Sequence, residues 1–510
     1  MNGFLCSRSW KEIFISVIIV DERDIESVSL NLYKLRNNPR RELVYMDLAE
    51  FYSMVVQRVP AYRAYLEERC GTLPEVLSPE DFSRLPLTSK GEYIKAFPLE
   101  DLCLDGTLRG KHVLCRSSGT KGKPFFWPQL PEQERYVAEW LYSDLDEAFG
   151  ISQNPVFAVV SLALGSWISG ELTSWGLRNL GIQKGGLTLV TPGLDLDEAV
   201  DMLESFAGKF SGTVLYSYPP FARIILEKAA ARKLPLESFR MGLRLAGEGY
   251  SEGYRSRLNR LMGYHEGDLH SIASGYGSTD FGSLGKETPL CIAIRRILYE
   301  RGLAKEVLGR GEIPSLCQYD PSAFFVELHE EELVVSKYQA VPLLRYRTGD
   351  RVTLMPYTEM IQRLKDAGAD PLALLAERGG DLAKVRELPF VLVWGRIDGG
   401  ITFYGANILV EQIREIVEEQ QEFAACCTGQ FKIRKGEDAH NDPMLEVLLE
   451  PRPETRGDET SLAQLLASCL EAMSTDYAAV RKTQGEKALP RLRFVPGDEL
   501  FGGTKFKYTD

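Results

Sequence analysis

Short apolar runs alternate with amphipathic stretches through the middle of this chain. Residues 156–161, 187–190, 213–216 and 241–246 are compact runs rich in Val, Leu and Ala, the pattern of strands buried on both faces. The stretches between them carry apolar residues at helical spacing, so a parallel α/β sheet is expected between Lys111 and Glu287. Upstream, residues 43–69 repeat at helical spacing, and 85–90 read as a capped entry into a short helix. The chain up to about residue 95 is therefore a helical preface.

Further on, 324–328, 332–336 and 351–354 alternate in twos between polar turns, which predicts a smaller antiparallel β unit. After residue 400 the order is strand (400–404), helix (410–419), strand (444–449), helix (461–472) and strand (492–495). The expected class is α/β: a large N-terminal unit of several subdomains with parallel sheets and a small β unit, then a small α+β C-terminal domain.

Composition narrows the partners. The chain has 510 residues, 44% hydrophobic and 26% charged, enough for several cores and unlike a disordered segment. A net charge of -12 offers phosphate backbones no long-range attraction, so no nucleic-acid partner is expected. Nine cysteines without C-x-x-C pairs fit a reducing, cytoplasmic setting. The apolar stretch 13–20 is too short to span a bilayer and runs straight into Asp21, Glu22, Arg23 and Asp24. It reads as a strand or buried edge, and no membrane partner is expected.

Candidate chemistry starts at Ser117, Ser118, Gly119, Thr120, Lys121, Gly122 and Lys123. Two glycines, hydroxyl donors and two lysines suit a polyphosphate. The glycine spacing is not that of a Walker A loop, and Pro124 stands where that motif has a hydroxyl residue. Four segments follow: Ala246-Gly247-Glu248, then Tyr276-Gly277-Ser278-Thr279-Asp280, then Tyr346-Arg347-Thr348-Gly349-Asp350, then Gly395-Arg396-Ile397-Asp398. Gly502-Gly503-Thr504-Lys505 comes last. With these motifs in this order the chain resembles the adenylate-forming superfamily of acyl-CoA synthetases, adenylation domains and luciferases. Within it, 344–350 and 395–408 are most similar to the phenylacetate-CoA ligase branch. The likeness runs from about Phe82 to Lys505.

The resemblance implies an ATP-dependent ligase that activates a carboxylic acid as acyl-AMP and passes the acyl group to a thiol, by default CoA. It implies that 117–123 hold pyrophosphate, that Lys505 meets the carboxylate and α-phosphate, and that Asp280 binds Mg²⁺. Asp280 stands where the family usually has glutamate, which leaves a shorter reach. Gly247, Glu248, Tyr276, Gly277, Ser278 and Thr279 would line the ATP site, with Tyr276 stacked on adenine. Asp350 would accept from the ribose hydroxyls and Arg396 would contact the nucleotide. Asp398 matches the hinge of a mobile lid, dividing the chain into 1–397 and 398–510.

Trp167, Trp175, Tyr216 and Tyr218 are the candidate lining of the acid pocket. Aromatics there suit an aryl acid, although core packing uses the same residues. Cys291, Cys317 and His329 lack a close ligand pair, and no zinc is expected.

The chain departs from the family in two places. An inserted element, 357–388, carries two amphipathic helical patterns and could brace the lid, cover the acyl site, dock a partner or be neutral. The terminal motif lacks the usual proline before the lysine, which keeps Lys507 as the fallback for Lys505. Three rival functions stay open: delivery to a carrier protein or an amine, transfer of AMP itself, and a nucleotide-binding scaffold. A homodimer is also left open.

Overall fold

The apolar runs become strands, and the longest series of strands joins edge to edge. The computed structural model describes residues 48–111, 113–116, 125–397, 399–452, 457–496 and 500. β1 (Val113–Arg116) and β2 (Phe126–Gln129) form an antiparallel pair of their own. β3 (Val156–Ser161), β4 (Leu187–Val190), β5 (Gly212–Ser217), β6 (Met241–Leu245) and β7 (Ile272–Ser278) lie parallel in the order β4-β3-β5-β6-β7. Helices Ile168–Lys184, Leu196–Phe206, Pro219–Ala231 and Glu252–Leu261 make the crossovers, as parallel strands require.

At β7 the direction reverses. β8 (Gly282–Lys286), β9 (Ser315–Tyr319), β10 (Phe325–His329), β11 (Glu332–Lys337), β12 (Leu343–Met355) and β13 (Phe390–Arg396) continue the sheet antiparallel, in the order β7-β8-β9-β13-β12-β11-β10. The antiparallel unit expected at 324–355 is thus the far half of one eleven-stranded sheet. Its joint is the β7–β8 pair, where a Cβ on Gly277 would lie 2.3 Å from the Gly282 carbonyl oxygen. Only glycine permits that approach.

The preface helices Leu48–Arg58 and Pro60–Cys70 pack on the antiparallel half, burying Phe51, Tyr62 and Phe82 with Val326, Leu333 and Tyr346. Thr88 fastens them by accepting from the Arg347 amide at 2.8 Å and donating its hydroxyl to the Leu344 carbonyl at 2.9 Å. The insertion forms helices Tyr357–Asp366 and Pro371–Glu377. Met360, Leu364 and Leu375 are buried with Leu290 and Ile294 of helix Pro289–Glu300. The insertion thus braces the back of the sheet, and none of its residues lines the cleft described below.

The C-terminal strands are β14 (Ile401–Phe403) paired with β15 (Ala406–Ile408), and a three-stranded sheet of β16 (Cys427–Glu437), β17 (Pro443–Pro451) and β18 (Arg491–Phe494). Their core, including Phe403, Ile413, Phe431, Val447 and Leu466, draws on no residue before Ile401. Polar contacts join it to the parallel half. Lys435 pairs with Glu248 at 2.8 Å, the Ser251 hydroxyl reaches Glu437 at 2.9 Å, and Asp442 pairs with Arg223 at 2.9 Å.

Behind β7 lies a dry cluster of charges. Glu252, Arg255 and Glu287 have fully buried side chains, and those of Arg295 and Arg296 are nearly so. Arg255 reaches Glu287 at 2.5 Å and Glu252 at 3.1 Å; Arg295 reaches Glu287 at 2.8 Å, and Arg296 reaches Glu252 at 2.9 Å. Glu287 also accepts from the amide and hydroxyl of Ser274, each at 3.1 Å, and from Tyr250 at 3.2 Å. Burial pushes the Glu287 carboxyl up, but Arg255 and Arg295 outweigh it and hold it below the usual range.

Neutralising one member of such a cluster leaves its partners uncompensated, which costs about 3–5 kcal/mol. Glu287→Gln is therefore expected to lower unfolding free energy by that amount in urea titrations at pH 7. A loss under about 1 kcal/mol would show that the cluster is dispensable. Since the folded carboxyl is depressed, its contribution is present above the ordinary glutamate range and fades as pH falls through the folded value.

Candidate functional site

The C-terminal ends of the parallel strands open into a cleft of about 1910 Å³ that runs on beneath the antiparallel half and the C-terminal unit. Ligand sites in such sheets lie at these strand ends, and single-ligand pockets fill roughly 300–1,000 Å³. This cleft is larger than one such pocket.

Two motifs far apart in sequence meet at one carboxylate. Asp350, in β12, stands directly across the ladder from Arg396 at the end of β13. Arg396 donates to Asp350 at 3.1 Å, and the Tyr276 hydroxyl, from β7, donates to its other oxygen at 2.7 Å. Burial and the facing carboxylate push the Tyr276 phenol well up. Gly349 makes the pairing possible: it has φ 78°, and a Cβ there would come within 2.5 Å of the Arg396 guanidinium. Glu332 holds the turn from outside by accepting from the Gly349 amide at 2.8 Å.

Asp280 follows β7 and is reached from the preface. Lys90 spans its two oxygens at 3.2 and 3.4 Å, and Tyr346 donates to one of them at 2.6 Å. Among the described residues no group of three or more His, Cys, Asp or Glu could hold a metal ion. Gly277, Ser278 and Thr279 line the cleft beside Asp280.

Glu248 lies on the cleft wall with Gly247 and is covered by Lys435. Tyr218 stands against Gly247, where an added Cβ would meet its ring at 2.8 Å, and its hydroxyl is 3.2 Å from that of Ser169. Trp167 and Tyr216 also line the cleft. Trp175 does not: it packs against the apolar cluster of Leu177 and Leu180. It is half-buried on helix Ile168–Lys184. Ser117, Ser118, Gly119, Thr120, Lys121, Gly122, Lys123, Asp398, Lys505 and Lys507 lie outside the described residues.

Sequence reasoning passed over Lys90, Lys337, Asp144, Arg244 and Lys286, all of which line the cleft. Lys337 ends β11 and donates to the Phe281 carbonyl at 2.7 Å, with its ammonium 4.4 Å from the Phe324 ring centre. No carboxylate pairs with it among the described residues, and burial lowers its pKa to about 7. A charge closing a strand whose middle, Leu333-Val334-Val335, is apolar was the available signal.

No protein-family model matches the chain, and no curated protein matches it. Among solved structures it is similar to 2-hydroxyisobutyryl-CoA ligase in complex with 2-HIB-AMP and CoA in the thioesterification state. The two share 16% identity and a TM-score of 0.56 over 91% of this chain and 87% of that one. Fainter likenesses are to the amide bond synthetase McbA from Marinactinospora thermotolerans (14% identity, TM-score 0.44, 86% and 75% covered) and to a malonyl-CoA ligase with methylmalonyl-CoA and AMP bound (14%, 0.41, 86% and 82%). At those scores they add nothing to the comparison. The chain has the fold of the adenylate-forming enzymes, with a C-terminal α+β unit after the large sheet.

Lys337 supplies a pH test of this wall. A lysine whose folded pKa is about 7 against an ordinary 10.5 destabilises the fold fully below about pH 7, and the penalty fades as pH rises toward the unfolded value. Lys337→Met is expected to gain on the order of 2 kcal/mol at pH 6, after loss of the hydrogen bond to Phe281, and to lose that gain by pH 10. Urea titrations of both proteins at pH 6, 8 and 10 measure it. A difference that stays constant with pH would mean the ammonium is not desolvated.

Proposed function

We propose that this chain is an adenylate-forming ligase of the phenylacetate-CoA ligase type. A carboxylate oxygen attacks the α-phosphate of ATP, the bond to pyrophosphate breaks, and acyl-AMP forms. A thiol, CoA in this reading, then attacks the acyl carbon and AMP leaves. The observation that carries the proposal is the meeting of Tyr276, Asp350 and Arg396 at one point of the cleft.

Each half of the reaction brings anions together, so the protein must position them and supply positive charge. Asp350, oriented by Tyr276 and Arg396, takes the ribose hydroxyls, and Arg396 keeps a cation beside the nucleotide. Residues 117–123 hold the departing pyrophosphate, and Lys505 neutralises charge between the carboxylate and the α-phosphate. The carboxylate of Asp280 fits a hard cation bound mainly by phosphates. Asp280 would hold Mg²⁺, which would supply charge to offset the phosphates, and Lys90 sets a second cation beside the same carboxylate. The acid pocket is lined by Trp167, Tyr216 and Tyr218, consistent with a flat acid.

The chain divides at Asp398 into the large unit, 1–397, and a lid, 398–510, that alternates between the two half-reactions. Its separate core and its polar contacts through Lys435, Glu437 and Asp442 support that division, because interfaces of this kind can open and re-form.

A pyrophosphate-release screen over aryl, aliphatic and amino acids, repeated with CoA, carrier proteins and amines, tests the function. Release with no acid at all would refute it. Lys505→Ala is expected to cut acid-dependent pyrophosphate release by at least ~10²-fold while leaving thiolysis of supplied acyl-AMP largely intact. Equal loss of both half-reactions in a folded variant would remove the lysine from its role. Asp350→Asn is expected to raise the KM for ATP by about tenfold or more with little change in the KM for the acid.

A further inference from the structure

One arm of the cleft is polar where its surroundings are apolar. Val160, Tyr216, Arg244 and Ala273 are cross-strand neighbours on β3, β5, β6 and β7. They share the sheet face covered by helix Pro131–Phe149, whose contacts are otherwise Val156, Ala158, Val214, Leu141 and Leu145. Arg244 interrupts that face, and Asp144 of the helix answers it: Nε donates to Asp144 at 2.5 Å, while Lys286 of β8 reaches the other carboxylate oxygen at 2.8 Å. Trp140, one helical turn from Asp144, approaches Gly275 and closes the side.

Two donors remain over. Tyr216 is 4% exposed, and its buried hydroxyl has no hydrogen-bond partner among the described residues. The Arg244 guanidinium uses Nε on Asp144 and Nη1 on the Leu243 carbonyl at 3.0 Å, and its Nη2 makes no hydrogen bond among the described residues. Both side chains line the cleft, on the row that leads to Gly275 and then Tyr276. A buried hydroxyl of this kind requires an acceptor, and Arg244, the cross-strand neighbour of Tyr216, offers Nη2 to the same cleft. Asp144 is already shared by two cations, so the acceptor must come with a ligand.

We infer that the acid activated by this chain carries a second oxygen acceptor, a hydroxyl, keto or second carboxylate group, remote from the carboxylate that reacts. Tyr216 and Arg244 donate to it, and Asp144 and Lys286 hold Arg244 in place. The inference rests on the ligase reading, since it assigns this arm to the acid. An unsubstituted acid would leave both donors facing carbon. A site built to hydrogen-bond a substrate oxygen discriminates strongly against the analogue lacking it.

The test compares matched acids with the unmodified protein: benzoate with 4-hydroxybenzoate, phenylacetate with 4-hydroxyphenylacetate, and hexanoate with hexanedioate. The acceptor-bearing member of at least one pair is expected to give pyrophosphate release with kcat/KM about 10²-fold higher or more. Tyr216→Phe should then narrow that ratio at least about tenfold through the KM for the acid, with the KM for ATP unchanged. Equal or better use of every unsubstituted acid overturns the inference, as does an equal effect of Tyr216→Phe on both members of the preferred pair. If no acid releases pyrophosphate, ATP binding by equilibrium dialysis and thermal shifts with AMP plus each acid separate the two failures. Lost ATP binding overturns the ligase reading. Retained ATP binding with no greater shift from any acceptor-bearing acid overturns this inference alone.

Discussion

Glu287 is a carboxylate without water, and the balancing of its charge fixes where β7 can lie. Arg255 and Arg295 approach it from two helices, and Ser274 approaches it from the strand. Arg255 also donates to the Ile272 carbonyl at 2.6 Å, so the cluster grips the β7 backbone at two points. A buried charge accepts few alternative arrangements, because any shift that opens one pair exposes an uncompensated ion to a dry interior. The strand is thereby held in register at the place where the sheet changes from parallel to antiparallel.

That fixed strand serves several surroundings at once. Ser274 turns to the charge cluster, while Ala273 and Gly275 turn to the face under helix Pro131–Phe149, and Tyr276 projects into the cleft toward Asp350. Period-two alternation along a strand makes this division automatic once the register is set. A one-residue slip would turn Ser274 and Tyr276 together onto the face under helix Pro131–Phe149 and break both contacts. The antiparallel half then needs only its own ladder to bring Asp350 opposite Arg396.

The sequence was most readable where local pattern and tertiary environment agree. The parallel strands β3 to β6, the helix Val410–Glu419 and both helices of the insertion lie where periodicity puts them, whereas β7 was not read as a strand. The continuity of the eleven-stranded sheet was not readable, because strand order depends on pairings between segments distant in sequence, and β13 enters between β9 and β12 after the insertion. At the site, Tyr276, Asp350 and Arg396 could be named from ordered motifs, but their meeting at one carboxylate is a matter of register. Trp175 shows the converse. An aromatic inside the right sequence interval carries no information about which helix face it occupies, and this one packs at the edge of an apolar cluster, off the cleft.

The overlooked charges share a different cause. Arg244 and Lys337 each stand in an apolar run and were absorbed into the strand pattern, since hydrophobic periodicity averages over a single exception. Yet a charge in a strand buried on both faces is costly unless something answers it. Arg244 finds Asp144 on a helix a hundred residues earlier in the chain, while Lys337 finds a backbone carbonyl and an aromatic ring, and no carboxylate among the described residues. Both line the cleft, where such residues are tolerated because a ligand or its solvent completes their environment. The exceptions to the apolar pattern therefore carry the chemistry of the cleft walls, and the regular positions carry its frame.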